Sequence, residues 1–305
     1  MTKRDVAPAP SPALLWTLIC LVVLIWAVNP AIGKIALREW GGLELVTLRT
    51  TLAAFFILPP LFLSRERRSI APLDWPRLIV LGPVLQVGNQ VLFVVGLEHT
   101  SVAHTAFIFS TSPVWILLLA AMRGQEQIRG KKLVGMAVSI AGIVLLSRQR
   151  GGAVEATLFG DLLTLCATLT FAAFTVYGKE MRVRYGSVTI NAVAYIGGAL
   201  AVQPLLWGVY GGLPPRGAPL DAWAALLYMA IFPAVIAYVI YYWALGYIPA
   251  SRLAVVQYLQ PPFAAGLGWL IVGETMTGGA VVAGAVILLG VYLAERPDRA
   301  RARIA

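Results

Sequence analysis

Charge is what this sequence has least of. Only 12% of its 305 residues are charged while 59% are hydrophobic, against roughly 25% charged in ordinary soluble domains, and the mean hydropathy is +0.79. That balance excludes the usual soluble catalytic folds and points to a chain solvated by lipid. The two cysteines, Cys20 and Cys166, each sit inside an apolar run, so neither a disulfide framework nor a metal pair is expected. There is no His-Glu-x-x-His helix, no Gly-x-Ser-x-Gly elbow and no paired carboxylate inside an apolar run, so no catalytic residue, metal or cofactor is expected. Carboxylates are also missing from the middles of the runs. Glu44, Glu98, Asp161, Glu180, Asp221 and Glu274 all fall at or near run ends. Ion-coupled carriers commonly rely on a carboxylate within the membrane. If the chain carries solutes across the membrane, a facilitator, or weak coupling through His104, is the expectation.

What the sequence has is length of apolar run. Ten segments suit a bilayer crossing of ~20 residues, allowing for two short ones: Ala13–Gly33, Leu43–Leu63, Arg77–Leu97, Val102–Met122, Leu133–Ser147, Phe159–Gly178, Val188–Tyr210, Trp223–Leu245, Leu253–Val272 and Gly279–Ala294. The first is free of charge from Val6 to Gly33, too long for the core of a secretory signal. With both termini on one side, that side collects Lys3, Arg4, Arg65, Arg67, Arg68, Arg77, Arg123, Arg129, Lys131, Lys132, Lys179, Arg182, Arg184, Arg252, Arg296, Arg299, Arg301 and Arg303. The other side holds Lys34, Arg38, Arg148, Arg150 and Arg216. This bias places both ends in the cytoplasm of a bacterial inner membrane. It also accounts for the net charge of +10 without nucleic acid as a partner.

An internal repeat organises the segments. A shift of 145 residues lays Ile32-Gly33-Lys34 on Tyr177-Gly178-Lys179 and Trp26 on Phe171. A shift of 148 lays Gln90 on Tyr238, Pro113 on Pro261, Glu126 on Glu274 and Gly142 on Gly290. Five helices per half is an odd number, so the halves enter the bilayer from opposite sides. The expected fold is all-α and integral to the membrane, with ten transmembrane helices as two inverted five-helix repeats. Its parts are a tail over 1–12, repeats over 13–148 and 159–296 joined by a linker at 149–158, and a basic tail over 297–305.

Polar residues inside the runs are either cavity lining or helix-to-helix glue. Gln86, Asn89 and Gln90 share one face of the third segment, and His104, Thr111 and Trp115 share a face of the fourth. Tyr238 and Tyr241 in the eighth, with Gln257, Tyr258 and Gln260 in the ninth, complete a candidate binding set. The tyrosines are equally readable as core or interfacial belt. Asn29 joins the set because Pro30 frees a carbonyl beside it. Pro30, Pro113, Pro233 and Pro261 are candidate hinges, since each removes a backbone donor. Arg49 is the one charge clearly inside a span. It either snorkels to the nearer interface or acts as a charge anchor or gate for a carboxylate.

These features resemble the EamA-type carriers of the drug/metabolite transporter superfamily over nearly the whole chain. The likeness rests on Trp26 through Lys34, Leu48-Arg49, Gly96 through Ala106, Pro113 followed by Glu126, Gly160-Asp161, and Pro261 followed by Gly273-Glu274. One departure is that Glu126 stands in Arg-Gly-Gln-Glu where the family has Gly-Glu. Within the superfamily the chain is most similar to bacterial exporters of amino acids, aromatic ones included. The resemblance implies alternating access around a cavity built from segments one, three, four, six, eight and nine. The expected partners are a small-molecule substrate and the lipid bilayer, with the chain a monomer or homodimer. A multidrug exporter of lipophilic cations and a non-transporting membrane scaffold are the alternatives.

Overall fold

A computed structural model of the chain describes residues 10–64, 69–125, 130–148, 156–211, 217–248 and 259–295, with 250, 253 and 257 besides. The described structure is helical: α1 Pro12–Ala36, α2 Gly42–Leu63, α3 Pro72–Glu98, α4 Val102–Met122, α5 Gly130–Ser147, α6 Leu158–Tyr185, α7 Ser187–Gly208, α8 Leu220–Ala244, α9 over 260–272 and α10 Gly278–Glu295. Seven of these, α1 to α4 and α6 to α8, are long and apolar enough to cross a membrane. The chain is therefore a multi-pass membrane protein. Residues 1–9 of the first tail, the basic tail, most of the 149–158 linker, Glu126 and Tyr258 lie outside the described residues.

Local chemistry starts the helices where the apolar runs begin. Ser11, Ser101 and Thr157 accept from the amides of Leu14, His104 and Gly160, which satisfies donors that a helix leaves free at its N-terminus. Between α6 and α7 the chain reverses at Gly186, whose φ of 84° lies in the left-handed region that a side chain resists. The largest boundary correction is at α6. It continues past Gly178 to Tyr185, because Lys179, Glu180, Arg182 and Arg184 end the apolar run without ending the helix.

Prolines divide several helices into pieces. In α3 and α8, the turns around Pro83 and Pro233 widen to π geometry over Val80–Val87 and Phe232–Ile236. In α4 the helix restarts at Ser112–Met122 with Pro113 in its first turn, and Pro261 occupies the same place in Gln260–Leu267. Pro30 departs from the hinge expectation, since α1 runs through it unbroken.

Packing follows the repeat. The neighbours α1–α8 and α3–α6, α2–α8 and α3–α7, and α1–α9 and α4–α6 form corresponding pairs when the first five helices are matched to the last five. The pairs α2–α7, α4–α9 and α5–α10 each join a helix to its own counterpart. Of these, α5 and α10 run antiparallel. Gly135 abuts Gly290 and Ala294, while Gly142 abuts Ile287. Between α5 and α10 the backbones nearly touch: an added Cβ would lie 2.3 Å from a backbone nitrogen at Gly135 and at Gly290. Small residues permit this approach where no hydrophobic drive separates helix from lipid. Leu21, Leu24, Leu200, Trp207 and Leu289 face outward, and nearly all the polar side chains of the spans are turned in.

Candidate functional site

Midway along the bundle, α1, α2, α3, α4, α6, α8 and the start of α9 leave a chamber lined by Trp26, Asn29, Pro30, Arg49, Asn89, Gln90, Phe93, Thr105, Ala106, Phe109, Phe171, Pro233, Tyr238, Gln257 and Gln260. Its volume is about 50 Å³, space for a few water molecules.

One wall is a closed hydrogen-bond ring. Asn89 Nδ2 donates to the Ala167 carbonyl of α6 at 2.6 Å. Gln90 Nε2 donates to the Tyr238 hydroxyl at 2.9 Å, and that hydroxyl donates to Asn89 Oδ1 at 3.1 Å. Gln90 and Tyr238, counterparts at the 148-residue shift, thus bond to each other where the two halves meet. The adjoining wall is aromatic. Trp26 meets Phe171 edge-on at 5.6 Å, and lies 5.4 Å from Tyr238 and 5.1 Å from Tyr241. Its indole nitrogen donates to the Pro233 carbonyl at 3.3 Å.

Three other lining residues each carry an unmatched atom. Asn29 Oδ1, Arg49 Nη1 and Gln257 Nε2 are buried without a hydrogen-bond partner. Gln260 Nε2 donates to Gln257 Oε1 at 2.8 Å, which leaves the Gln257 amide nitrogen free. Arg49 does not snorkel. It is 2% exposed, with Nε donating to the Met229 carbonyl of α8 at 3.0 Å. An arginine at a membrane helix centre costs about 2.5–3.5 kcal/mol on insertion scales. Among the described residues no carboxylate pairs with it.

Several sequence candidates lie elsewhere. Gln86 donates to Asn191 Oδ1 of α7 at 2.7 Å, so it joins α3 to α7 and not to the chamber. Thr111 bonds back to the Ile108 carbonyl and receives the Trp115 indole at 3.1 Å, an arrangement internal to α4. Tyr241 stands behind Trp26, against Val22 and Leu253. His104 is at the end of the bundle where α1 and α3 finish. There its Nδ1 lies 3.1 Å from both oxygens of Asp161, which also accepts from Thr100 at 2.6 Å. At the same end both Glu274 oxygens accept from the Val102 amide, at 3.1 and 2.9 Å. Burial pushes the Glu274 carboxyl above its ordinary value, and the Val102 amide pulls it part of the way back. Gly160 sits against His99 here, and Thr157 donates twice to the His99 carbonyl, at 3.0 and 2.7 Å. This end is sealed. At the other end, a crevice of about 600 Å³ opens between α3, α4 and α6, lined by Arg77, Leu81, Leu85, Arg123 and Tyr177 among others.

Sequence reasoning missed Phe93 and Phe109 altogether and saw Thr105 only within the family-like stretch Gly96 through Ala106. It named neither Trp26 nor Phe171 as a site residue, and their match in the repeat was the signal that both belong to the chamber.

The EamA-like transporter family model matches residues 14–148 and again 158–295. The chain belongs to this family. The family module thus occurs twice in the chain. An uncharacterized transporter of Archaeoglobus fulgidus is 30% identical over 90% of this chain and 95% of its own. A probable terminal-alkyne amino-acid exporter of Streptantibioticus cattleyicolor is 27% identical over 94% of this chain and 95% of its own. A solved crystal structure superposes with a TM-score of 0.66 at 18% identity, covering 96% of this chain and 99% of that one. The EamA-type chain is therefore a membrane transporter in a fold already seen by crystallography.

Proposed function

We propose that this transporter exports amino acids, aromatic and neutral ones included, and related small metabolites by alternating access. The observation that carries the reading is the chamber: three of its lining residues, Asn29 on α1, Arg49 on α2 and Gln257 just before α9, each hold a buried unmatched polar atom, beside a wall of aromatic rings. Packing alone gives no reason to leave Asn29, Arg49 and Gln257 unpaired, because an unsatisfied buried group costs about 1–3 kcal/mol. A zwitterion with an apolar side chain offers each of them a partner. The relative from S. cattleyicolor, a probable amino-acid exporter, supports the same class.

In this reading ten helices span the inner membrane as two inverted repeats, with both termini cytoplasmic. The antiparallel α5 and α10 and the arginine-rich ends support that orientation. The sealed end then faces outward and the crevice faces the cytoplasm. A chamber of about 50 Å³ holds no amino acid, so cargo enters only when the halves part. The widened turns at Pro83 and Pro233 are where α3 and α8 bend. The chamber's charge weighs against lipophilic cations as cargo. Proteoliposomes loaded with unlabelled phenylalanine, methionine or threonine will take up labelled phenylalanine by exchange. Failure of all three to drive exchange would remove this reading.

A further inference from the structure

Resting on the chamber as the cargo site, we propose that the transporter selects its cargo by one carboxylate, held by Arg49, and makes no demand for the ammonium group. Arg49 is 2% exposed, with Nη1 buried and unpartnered. Among the described residues no carboxylate lines the chamber. The chamber is therefore a cation without its counter-ion, in surroundings where a charge needs one. A planar guanidinium fits a carboxylate through parallel N–H donors.

The amides cannot set this polarity. Asn29 and Gln257 each present an acceptor or a donor according to which way the amide is turned, whereas Arg49 only donates. A cargo ammonium finds neutral acceptors and the face of Trp26 there, and no anion. It is tolerated, and its removal leaves the carboxylate contact intact. A cargo with an ammonium and no carboxylate instead sets two positive charges in one dry space. The chamber's recognised class is thus monocarboxylates carrying an apolar or aromatic group, with α-amino acids and their 2-oxo counterparts both inside it.

The test is competition against labelled phenylalanine exchange in proteoliposomes. The competitors are phenylalanine, phenylpyruvate, phenethylamine and phenylalanine methyl ester. Phenylpyruvate is expected to compete within about threefold of phenylalanine, and the amine and ester at least about tenfold more weakly, the loss typical of a charge-assisted hydrogen bond. Phenethylamine competing as well as phenylalanine, or phenylpyruvate failing to compete, overturns the proposal. If labelled phenylalanine is not carried at all, the amino-acid reading fails separately, and the same compounds are scored by thermal stabilisation of the purified protein. Stabilisation by phenylpyruvate that disappears in Arg49→Gln, with none by phenethylamine, upholds the carboxylate site. Stabilisation by the amine alone, or by no carboxylate, overturns it. Arg49→Lys, which keeps the charge and loses the fork, serves if Arg49→Gln does not fold, and it is expected to weaken phenylpyruvate more than methyl ester.

Discussion

Between α5 and α10 the backbones approach through Gly135, Gly142 and Gly290. Around the chamber, by contrast, α3 and α8 widen at prolines and meet through long polar and aromatic side chains. The first contact has no slack, because displacing either backbone opens a void or a clash. The second consists of side chains that can change rotamer and turns that already depart from α geometry. Under the proposed alternating access, counterpart pairs take different roles, the fifth pair as a fixed clamp and the third pair as the part that moves.

Overpacking the clamp tests this most severely. Gly290→Leu places a side chain 2.3 Å from the Ser139 nitrogen. It is expected to cost about 3 kcal/mol or more and remove most folded protein from a size-exclusion profile. Gly88→Leu, in α3 with nothing within 4 Å of its Cβ, should leave the profile unchanged, and equal damage from both would erase the distinction.

Tyr238→Phe comes next. It removes the hydroxyl that ties Gln90 and Asn89 across the two halves. Exchange flux should fall about tenfold with little change in the amount of folded protein. A drop in folded protein alone would make the ring a packing device.

Gln86→Leu sharpens the contrast from the other side. Gln86 bonds α7 and does not line the chamber, so flux should persist and stability change by only about 0.6 kcal/mol, the average for such bonds in membranes. Loss of flux at wild-type stability would return Gln86 to the cargo site.

The smallest effect concerns pH at the sealed end. The folded protein holds the raised Glu274 carboxyl's proton at pH values where the unfolded chain has lost it. Its contribution to stability is therefore greatest below the ordinary carboxylate range and falls as pH rises through the folded value. Compared with Glu274→Gln, the wild type should lose thermal stability as pH rises above the ordinary carboxylate range, and parallel curves would show the carboxyl to be uninvolved.

Seven spans and the doubled family module were legible because lipid requires an apolar run wherever a helix crosses, whereas the caps at Ser11, Ser101 and Thr157 were not read from the sequence. Rotation about each helix was not legible. In a bilayer both faces of a helix are apolar, so the spacing of Gln86, Asn89 and Gln90 placed them on one face without telling which of them meets a neighbouring helix. Asp161 and Glu274 were read as end residues, and they are, yet at 4% and 6% exposure they are buried caps. Their partners come from other helices, at Thr100, His104 and Val102, and run ends in sequence do not reveal those contacts. Arg49 was visible from the start, and only the Met229 carbonyl of α8 decided that it turns inward.

The central claim is that the chamber becomes reachable from water and is filled by cargo. Asn89→Cys and Gln257→Cys, each made with Cys20→Ala and Cys166→Ala, should react with a membrane-impermeant thiol reagent in vesicles of at least one orientation, and phenylalanine should slow that reaction. Thiols untouched from either side, or labelled at a rate indifferent to every carboxylate tried, would contradict it.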